Sequence, residues 1–315
     1  QTVHQPPLLA GAARAAVDLD AAELPGDWRR QLGACLAALR GASPGPVHCN
    51  LRFHKPLEPV SGAPSPDPIE LPVPAALAKP EAPWLGAKRG LVVVGALPFA
   101  ARAGVDRLLR ALPWPALVDV TSGLDRDAGQ GAQRRFRPAL LRVEDARARI
   151  CPDRVLWLGG RVTEPAVGAW LADTEVIQWR AGDAVRASDG IGPSACTVDF
   201  AGPLPDPAGA APSELDLSAV EAAFPEPPEG LNEPAIARLV SESVGSREVL
   251  FLGSSMPIRD VDRFARKLPS TVVTNRGISG IDGNLATAFG AYVVGGHAVT
   301  AVLGELAFLH DVGTL

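Results

Sequence analysis

The sequence predicts an α/β protein built on parallel sheets with helices on both faces. Two observations carry this. Short, continuous apolar runs recur along the chain, as in RGLVVVGAL (89–97), RVLWLGG (154–160) and REVLFLG (247–253). Between them lie segments with apolar residues at helical spacing, such as ARAGVDRLLRAL (101–112) and PIRDVDRFARKL (257–268). A strand that is apolar at every position needs cover on both faces, and crossover helices supply it in parallel sheets. Hydrophobic residues make up 47% of the 315 residues, enough for cores in two or three domains.

The elements follow in order. GDWRRQLGACLAALRG (26–41) places Trp28, Leu32, Cys35, Leu36 and Leu39 on one helical face, and GPVHCNLRF (45–53) reads as a strand. Together they are too small to fold alone and read as the tail of a larger α/β unit. Prolines at 56, 59, 64, 66, 68, 72, 74, 80 and 83 forbid helix and central strand, so an extended linker spans 59–85. From 86 to 225 strands are expected at 89–97, 116–123, 154–160 and 174–180, with helices at 101–112 and 164–172. PDPAGAAP (205–212) and FPEPPEG (224–230) mark the next boundary region. From 226 the alternation resumes. LNEPAIARLVSESV is a helix with Asn232 as N-cap and Pro234 in its first turn. REVLFLG (247–253), STVVTN (270–275) and AVTAVLGEL (298–306) are strands, and helices follow the first two. The chain opens at Gln1 without an initiator methionine and stops at Leu315 soon after a strand, so both ends read as cut.

Several function classes are excluded or disfavoured. No apolar run reaches the ~18 residues that span a membrane, and the N-terminus lacks the layout of a signal peptide. The net charge is −5 with scattered basic residues, which is not a nucleic-acid footprint. Cys35, Cys49, Cys151 and Cys196 are far apart in sequence and form no CxxC, which argues against zinc and fits a reducing, cytoplasmic setting.

In parallel α/β sheets ligands bind at the carboxyl ends of the strands. Three such ends fall after 226: Gly253-Ser254-Ser255, Asn275-Arg276-Gly277 and Gly304-Glu305-Leu306. If their strands are neighbours, the three loops meet in one crevice. GSSMPIRD (253–260) sets hydroxyls and Arg259 around a helix start, where amide groups favour anions, although for GSS alone plain N-capping is the better explanation. The glycines of TNRGISGIDGNLATAFG (274–290) fall as GxxGxxG, not as the GxGxxG of a dinucleotide site. Alone they mean a turn. Arg276 is more telling, as a second arginine converging with Arg259 on an anion. Glu305 is a strand-end acid, open to a metal or to a helix-capping role.

Taken together, SSMPIRDVD, NRGISGIDGNLATAFG and GELAFLHDVGTL resemble the diphosphate-binding domain of the 2-succinyl-5-enolpyruvyl-6-hydroxy-3-cyclohexene-1-carboxylate synthase family, thiamine-diphosphate enzymes of menaquinone biosynthesis. QTVHQ and GPVHCNLRFHKPLEP (45–59) are similar to the end of that family's pyrimidine-binding domain. The resemblance spans the chain and implies a thiamine-diphosphate-binding fold. Residues 1–58 would end the pyrimidine domain, 86–225 form a central domain, and 226–315 begin the diphosphate domain. The family joins 2-oxoglutarate to isochorismate with loss of CO2, as a cytoplasmic homodimer or homotetramer. By resemblance, Gln1, Ser255, Arg259 and Arg276 bind substrate. Ser279, Gly280, Ile281, Gly304, Leu306 and Ala307 contact thiamine diphosphate, with Ile281 as the apolar wedge beneath it. Glu305 stands where the family has an aspartate that ligates Mg2+ (or Mn2+). The family's activating glutamate falls before Gln1, so no catalytic residue is assigned and these 315 residues alone are expected to be inactive. The family's central-domain basic pair aligns near Pro165-Ala166, neither of which is basic, and Arg161 is the nearby substitute. Two alternatives stay open: an acetolactate-synthase-like carboligase or decarboxylase, and a non-catalytic ligand-binding paralogue.

Overall fold

The computed structural model describes residues 6–9, 11–22, 25–39, 45–55, 80, 82–171, 174–181, 194–269, 271–276 and 279–315. Most of the proline-rich linker, and Gln1, lie outside the described residues. The chain divides into two compact units.

The first unit pairs two parallel strands, β1 (Ala15–Asp20) and β2 (Val47–Arg52), joined by helix α1 (Trp28–Ala37). Cys35 and Leu19 are its most buried side chains. Cys35 Sγ lies 3.8 Å from Cys49 Sγ. Sequence distance therefore hid a thiol pair.

In the second unit, six parallel strands form a sheet in the order β5-β4-β3-β6-β7-β8. They are β3 (Gly90–Val94), β4 (Ala116–Val118), β5 (Arg135–Phe136), β6 (Arg154–Leu158), β7 (Val176–Ala181) and β8 (Ser194–Val198). Every residue of β3 and β4 is buried. Alternation along a strand sends successive side chains to opposite faces. Val92 and Val94 accordingly join the core beneath α2 (Phe99–Ala111) with Trp84, Trp114 and Trp179. Leu91 and Val93 join the other, with Phe136, Leu140, Trp157 and Val167. Trp84 packs edge-on against Trp179 at 6.0 Å. Short helices α3 (Ala146–Arg149), α4 (Ala166–Trp170) and α5 (Ser218–Ala222) complete the cover of the second face. The stretch expected as one strand at 116–123 stops at Val118. Asp119 turns the chain there into a single 3-10 turn by accepting from Thr121 N.

The same unit holds a three-stranded parallel sheet in the order β10-β9-β11. These are β9 (Val249–Leu252), β10 (Thr271–Thr274) and β11 (Val299–Val302). Helix α6 (Glu233–Ser243) starts as expected, with Asn232 Oδ1 accepting from Ala235 N at 3.0 Å and Pro234 in the first turn. Ala237 of α6 packs with Ile258 and Val261 of α7 (Met256–Phe264) against Leu250 and Leu252 of β9. Helix α8 (Asn284–Gly295) crosses to β11. The expected strand at 298–306 ends at Val302 and is only half-buried, because Gly304 N-caps a further helix, α9 (Glu305–His310). Among the described residues no helix is long and apolar enough to cross a membrane.

Candidate functional site

The site begins with register. Thr274 and Val302 both stand opposite Leu252, so β9, β10 and β11 end side by side. All three run the same way, which brings residues 253–255, 275–276 and 303–305 to one edge. The condition set by the sequence, that these strands be neighbours, is met.

Gly253 turns out of β9 against the neighbouring strand. Its amide donates to Val302 O at 2.9 Å, and a Cβ there would stand 2.9 Å from Leu303 Cδ2. Glycine keeps these two strand ends in contact. Ser254 follows with a buried Oγ that has no hydrogen-bond partner. Ser255 has φ of 76°, an uncommon conformation for a residue with a Cβ. It stands exposed at the start of α7, and its side chain makes no cap bond there. The N-capping explanation of this serine therefore fails. Thr274 Oγ1, at the end of β10, is a second buried hydroxyl without a partner.

Arg259 lies one turn into α7 and is half-buried. Arg276 follows β10 and is also half-buried, and its Nη1 lies 3.5 Å from Ser279 Oγ. Burial pushes the Arg276 guanidinium below its ordinary range, and the positive charge of Arg259 pushes it further. The buried carboxylates Asp119 and Asp262 act in the opposite direction. Arg276 thus feels the charge of Arg259, and two hydroxyls without partners, Ser254 Oγ and Thr274 Oγ1, stand at the ends of β9 and β10.

The segment after Arg276 is held by local hydrogen bonds. Asn275 Nδ2 donates to Gly283 O (3.2 Å) and Thr287 Oγ1 (3.0 Å), and Asn284 Nδ2 donates to Ile281 O (2.9 Å). Gly283 takes φ of 71° to enter α8, a conformation open to glycine without strain. Ser279 is also left-handed, at φ of 65°, and Gly280 beside it is exposed. Ile281 is 46% exposed, a large apolar side chain held out on a pinned turn. At the end of β11, Gly304 opens α9, Glu305 and Leu306 are exposed, and Ala307 is half-buried.

Asp311 follows directly on α9. Its carboxylate accepts from Gly283 N (3.2 Å), Leu285 N and Ala286 N (3.3 Å), closing the amino end of α8. Burial acts against this carboxylate, but the three amides outweigh it and hold its pKa below the usual range. Sequence reasoning could not find this contact, because the partners are 25 to 28 residues apart.

One further group was missed. Asp262, on α7, is buried and accepts from Val120 N at 2.9 Å and from Arg126. Arg126 also donates to Val118 O (2.8 Å) and Asp262 O (2.9 Å). These bonds fix α7 against the end of β4. Arg161, the suggested substitute for the family's basic pair, is exposed. Glu164 beside it is buried and accepts from Arg142 at 2.6 Å. Among the described residues no group of three or more His, Cys, Asp or Glu side chains could hold a metal ion. Glu305 is thus a single carboxylate at its strand end. Gln1 lies outside the described residues.

The comparisons with known proteins point one way. No protein-family model matches the chain. It is 36% identical over 247 residues to a 2-succinyl-5-enolpyruvyl-6-hydroxy-3-cyclohexene-1-carboxylate synthase of Myxococcus xanthus, covering 71% of this chain and 41% of that protein. A protein of the same description from Rubrobacter xylanophilus is 33% identical across 100% of this chain and 61% of its own length. Another, from Halorhodospira halophila, is also 33% identical, across 100% of the chain and 59% of its own length. The chain spans about half the length of the curated relatives it matches.

Proposed function

The chain belongs to the 2-succinyl-5-enolpyruvyl-6-hydroxy-3-cyclohexene-1-carboxylate synthase family, and we propose that its protein joins 2-oxoglutarate to isochorismate with loss of CO2. The cofactor of this reading is thiamine diphosphate, which supplies carbanion stabilisation when bound. The single observation that carries the reading is the Arg259–Arg276 pair at the meeting point of three strand ends. Both substrates are carboxylates, and a guanidinium fork binds a carboxylate through two parallel donors. Arg259 and Arg276 therefore hold and orient substrate carboxylates, and Ser255 adds an exposed hydroxyl at the same edge. Gln1 is the fourth substrate contact of this reading.

The residues present fit the cofactor. The unbonded Ser254 Oγ and Thr274 Oγ1 supply polar groups at the strand ends. Ser279, Gly280 and Ile281 on one side, and Gly304, Leu306 and Ala307 on the other, offer exposed backbone and apolar surface. Ile281 is the apolar support. Glu305 would offer its carboxylate to Mg2+ or Mn2+, which would help hold the diphosphate. Residues 1–58 are proposed as the end of a pyrimidine-binding domain, 59–85 as a linker, 86–225 as a central domain and 226–315 as the start of a diphosphate-binding domain. The protein of this reading is cytoplasmic and works as a homodimer or homotetramer.

The test is an assay of the intact protein with isochorismate and 2-oxoglutarate, following CO2 and product. Loss of one charged hydrogen bond is worth ~1.5–3 kcal/mol. Arg276→Gln and Arg259→Gln should each lower kcat/KM by about 10- to 100-fold. A protein that turns over pyruvate as readily as 2-oxoglutarate would shift the reading to an acetolactate-synthase-like reaction. Glutamate at 305, where the family has aspartate, and the non-basic Pro165-Ala166 favour one other alternative, a ligand-binding paralogue without catalysis. Calorimetry with thiamine diphosphate and Mg2+ separates the two: binding without turnover supports the paralogue.

A further inference from the structure

A second charged site lies at the β5 edge of the six-stranded sheet. A cavity of about 240 Å³ opens there, and its walls are almost wholly polar. Among the described residues, five arginines line it (Arg126, Arg134, Arg135, Arg137 and Arg266), against two carboxylates, Asp127 and Glu221.

The sequence builds this from RRFR at 134–137. Phe136 turns into the core, as a strand residue must on a covered face, and the arginines on either side are left at the sheet edge. Arg134 lies over the Phe136 ring and Arg137 over Phe224, each at 5.0 Å. The aromatic faces set where the guanidiniums stand.

Each arginine has a partner, but those partners mostly lie outside the cavity. Arg126 and Arg135 use Asp262 and Asp106, and Arg266 uses Glu226. Inside, Glu221 is shared: Arg134 Nη2 is 3.0 Å away and Arg137 Nη2 only 4.0 Å. Arg137 donates instead to the Arg263 carbonyl. The Arg135 side chain is 1% exposed, and its Nε, which faces no acceptor, is a buried donor left unmet. Burial and then the charge of Arg126 push the Arg137 guanidinium below its ordinary range. Burial and then Asp125 push the Asp127 carboxyl up, while Lys267 pulls it down.

We propose that this cavity is a binding site for a small, multiply charged oxyanion, namely phosphate or a phosphoryl group. The chemistry is matched on three counts. The volume suits one or two tetrahedral groups and no apolar body. The lining offers planar forks, which phosphate oxygens accept from in pairs. An oxyanion there lies among the guanidiniums that line the cavity, with Arg126 and Arg137 repelling one another until it arrives. It also ties Arg266, two residues past α7, to β5. The proposal stands independently of the reaction proposed above.

The experiment is calorimetric titration of the intact protein with inorganic phosphate, and separately with glycerol phosphate, at ionic strength held constant with chloride. Saturable binding is expected. Tighter binding of inorganic phosphate marks a site for the free anion, and tighter glycerol phosphate marks one for a phosphoryl group. Arg137→Gln should weaken binding by about tenfold or more, the worth of one charged hydrogen bond. Arg266→Gln, whose side chain is more than half exposed, should weaken it severalfold without lowering the phosphate-free melting temperature. If Arg137→Gln does not fold, Arg266→Gln decides alone. A response that chloride reproduces, or variants that bind phosphate as the parent does, overturns the site.

Discussion

The two sheets of the second unit obey the same βα logic and treat their strand ends in opposite ways. At the end of β4, Asp119 is buried and accepts from Thr121 N, Thr121 Oγ1, Thr163 N and Thr163 Oγ1. Its capacity is used up inside the protein. At the ends of β9 and β10, Ser254 Oγ and Thr274 Oγ1 are buried with no partner. Burial differs in step. Trp84, Trp114, Trp157 and Trp179 are all buried in the six-stranded sheet, whereas Phe289 and Tyr292 of α8 and Leu306 of α9 are mostly exposed. At β4 the larger sheet meets its strand-end polar groups from within the protein. The ends of β9 and β10 leave theirs unmet, and an unmet buried group is free-energy capacity for a ligand.

The largest expected effect tests the closed sheet. Trp157 is 1% exposed within the second core, and its Nε1 donates to Gly160 O at 2.8 Å. Trp157→Ala removes the ring and leaves a cavity and a lost hydrogen bond. It should cost ~3–5 kcal/mol, read as a drop in the urea midpoint at unchanged slope. A cost below ~1 kcal/mol would mean that the core is not packed as described.

The next effect probes the join between the sheets. Burial, and then the carboxylate of Asp119, push Asp262 up to about 7, against the pull of Arg126 and Val120 N. The folded protein thus holds a proton on Asp262 that the unfolded chain releases near its ordinary pKa of 3.8. Where the folded state binds more protons, stability falls as pH rises. This contribution is therefore full below about 4 and lost as pH climbs toward about 7. Asp262→Asn cannot titrate, so its urea midpoint relative to the parent should rise across that window. Parallel pH profiles for the two proteins would show that Asp262 is charged throughout.

Much of this architecture was legible because apolar runs and strand-end logic are local. RGLVVVGAL, RVLWLGG and REVLFLG each formed its strand, and Asn232 capped its helix. The meeting of the three strand ends needed only that β9, β10 and β11 be neighbours. What was missed depended on distant partners or on very short elements. β5 has two residues and β8 carries Ser194, Cys196 and Thr197, so neither shows a strand pattern. Asp311 finds its amides across a helix and a strand, and Asp262 meets Arg126 from 136 residues away. Gly304 cut β11 short because a strand-to-helix cap and a strand interior look alike at GEL. The Cys35–Cys49 proximity came from packing a helix on a strand, which spacing alone does not reveal.

A smaller effect tests the amino end of α6. Asn232 Oδ1 satisfies one of the amides that a helix start leaves without a partner. Asn232→Ala should cost ~1 kcal/mol in the same unfolding assay. No change would mean that Pro234 and the preceding loop set this start without the cap.

The smallest expected effect returns to the open side of the comparison. Phe289 is 61% exposed on α8, and Tyr292, with ring centroids 6.3 Å apart, is its aromatic neighbour. Phe289→Ala deletes about as many ring atoms as a core substitution would, yet it opens no cavity. Its cost should stay within ~0.5 kcal/mol, as for surface changes generally. Set beside Trp157→Ala, this measures the contrast, since each change deletes an aromatic side chain, one buried and hydrogen-bonded and the other exposed. A cost of several kcal/mol at Phe289 would place this face against another surface in solution, and the sheet described as open would then be a closed one.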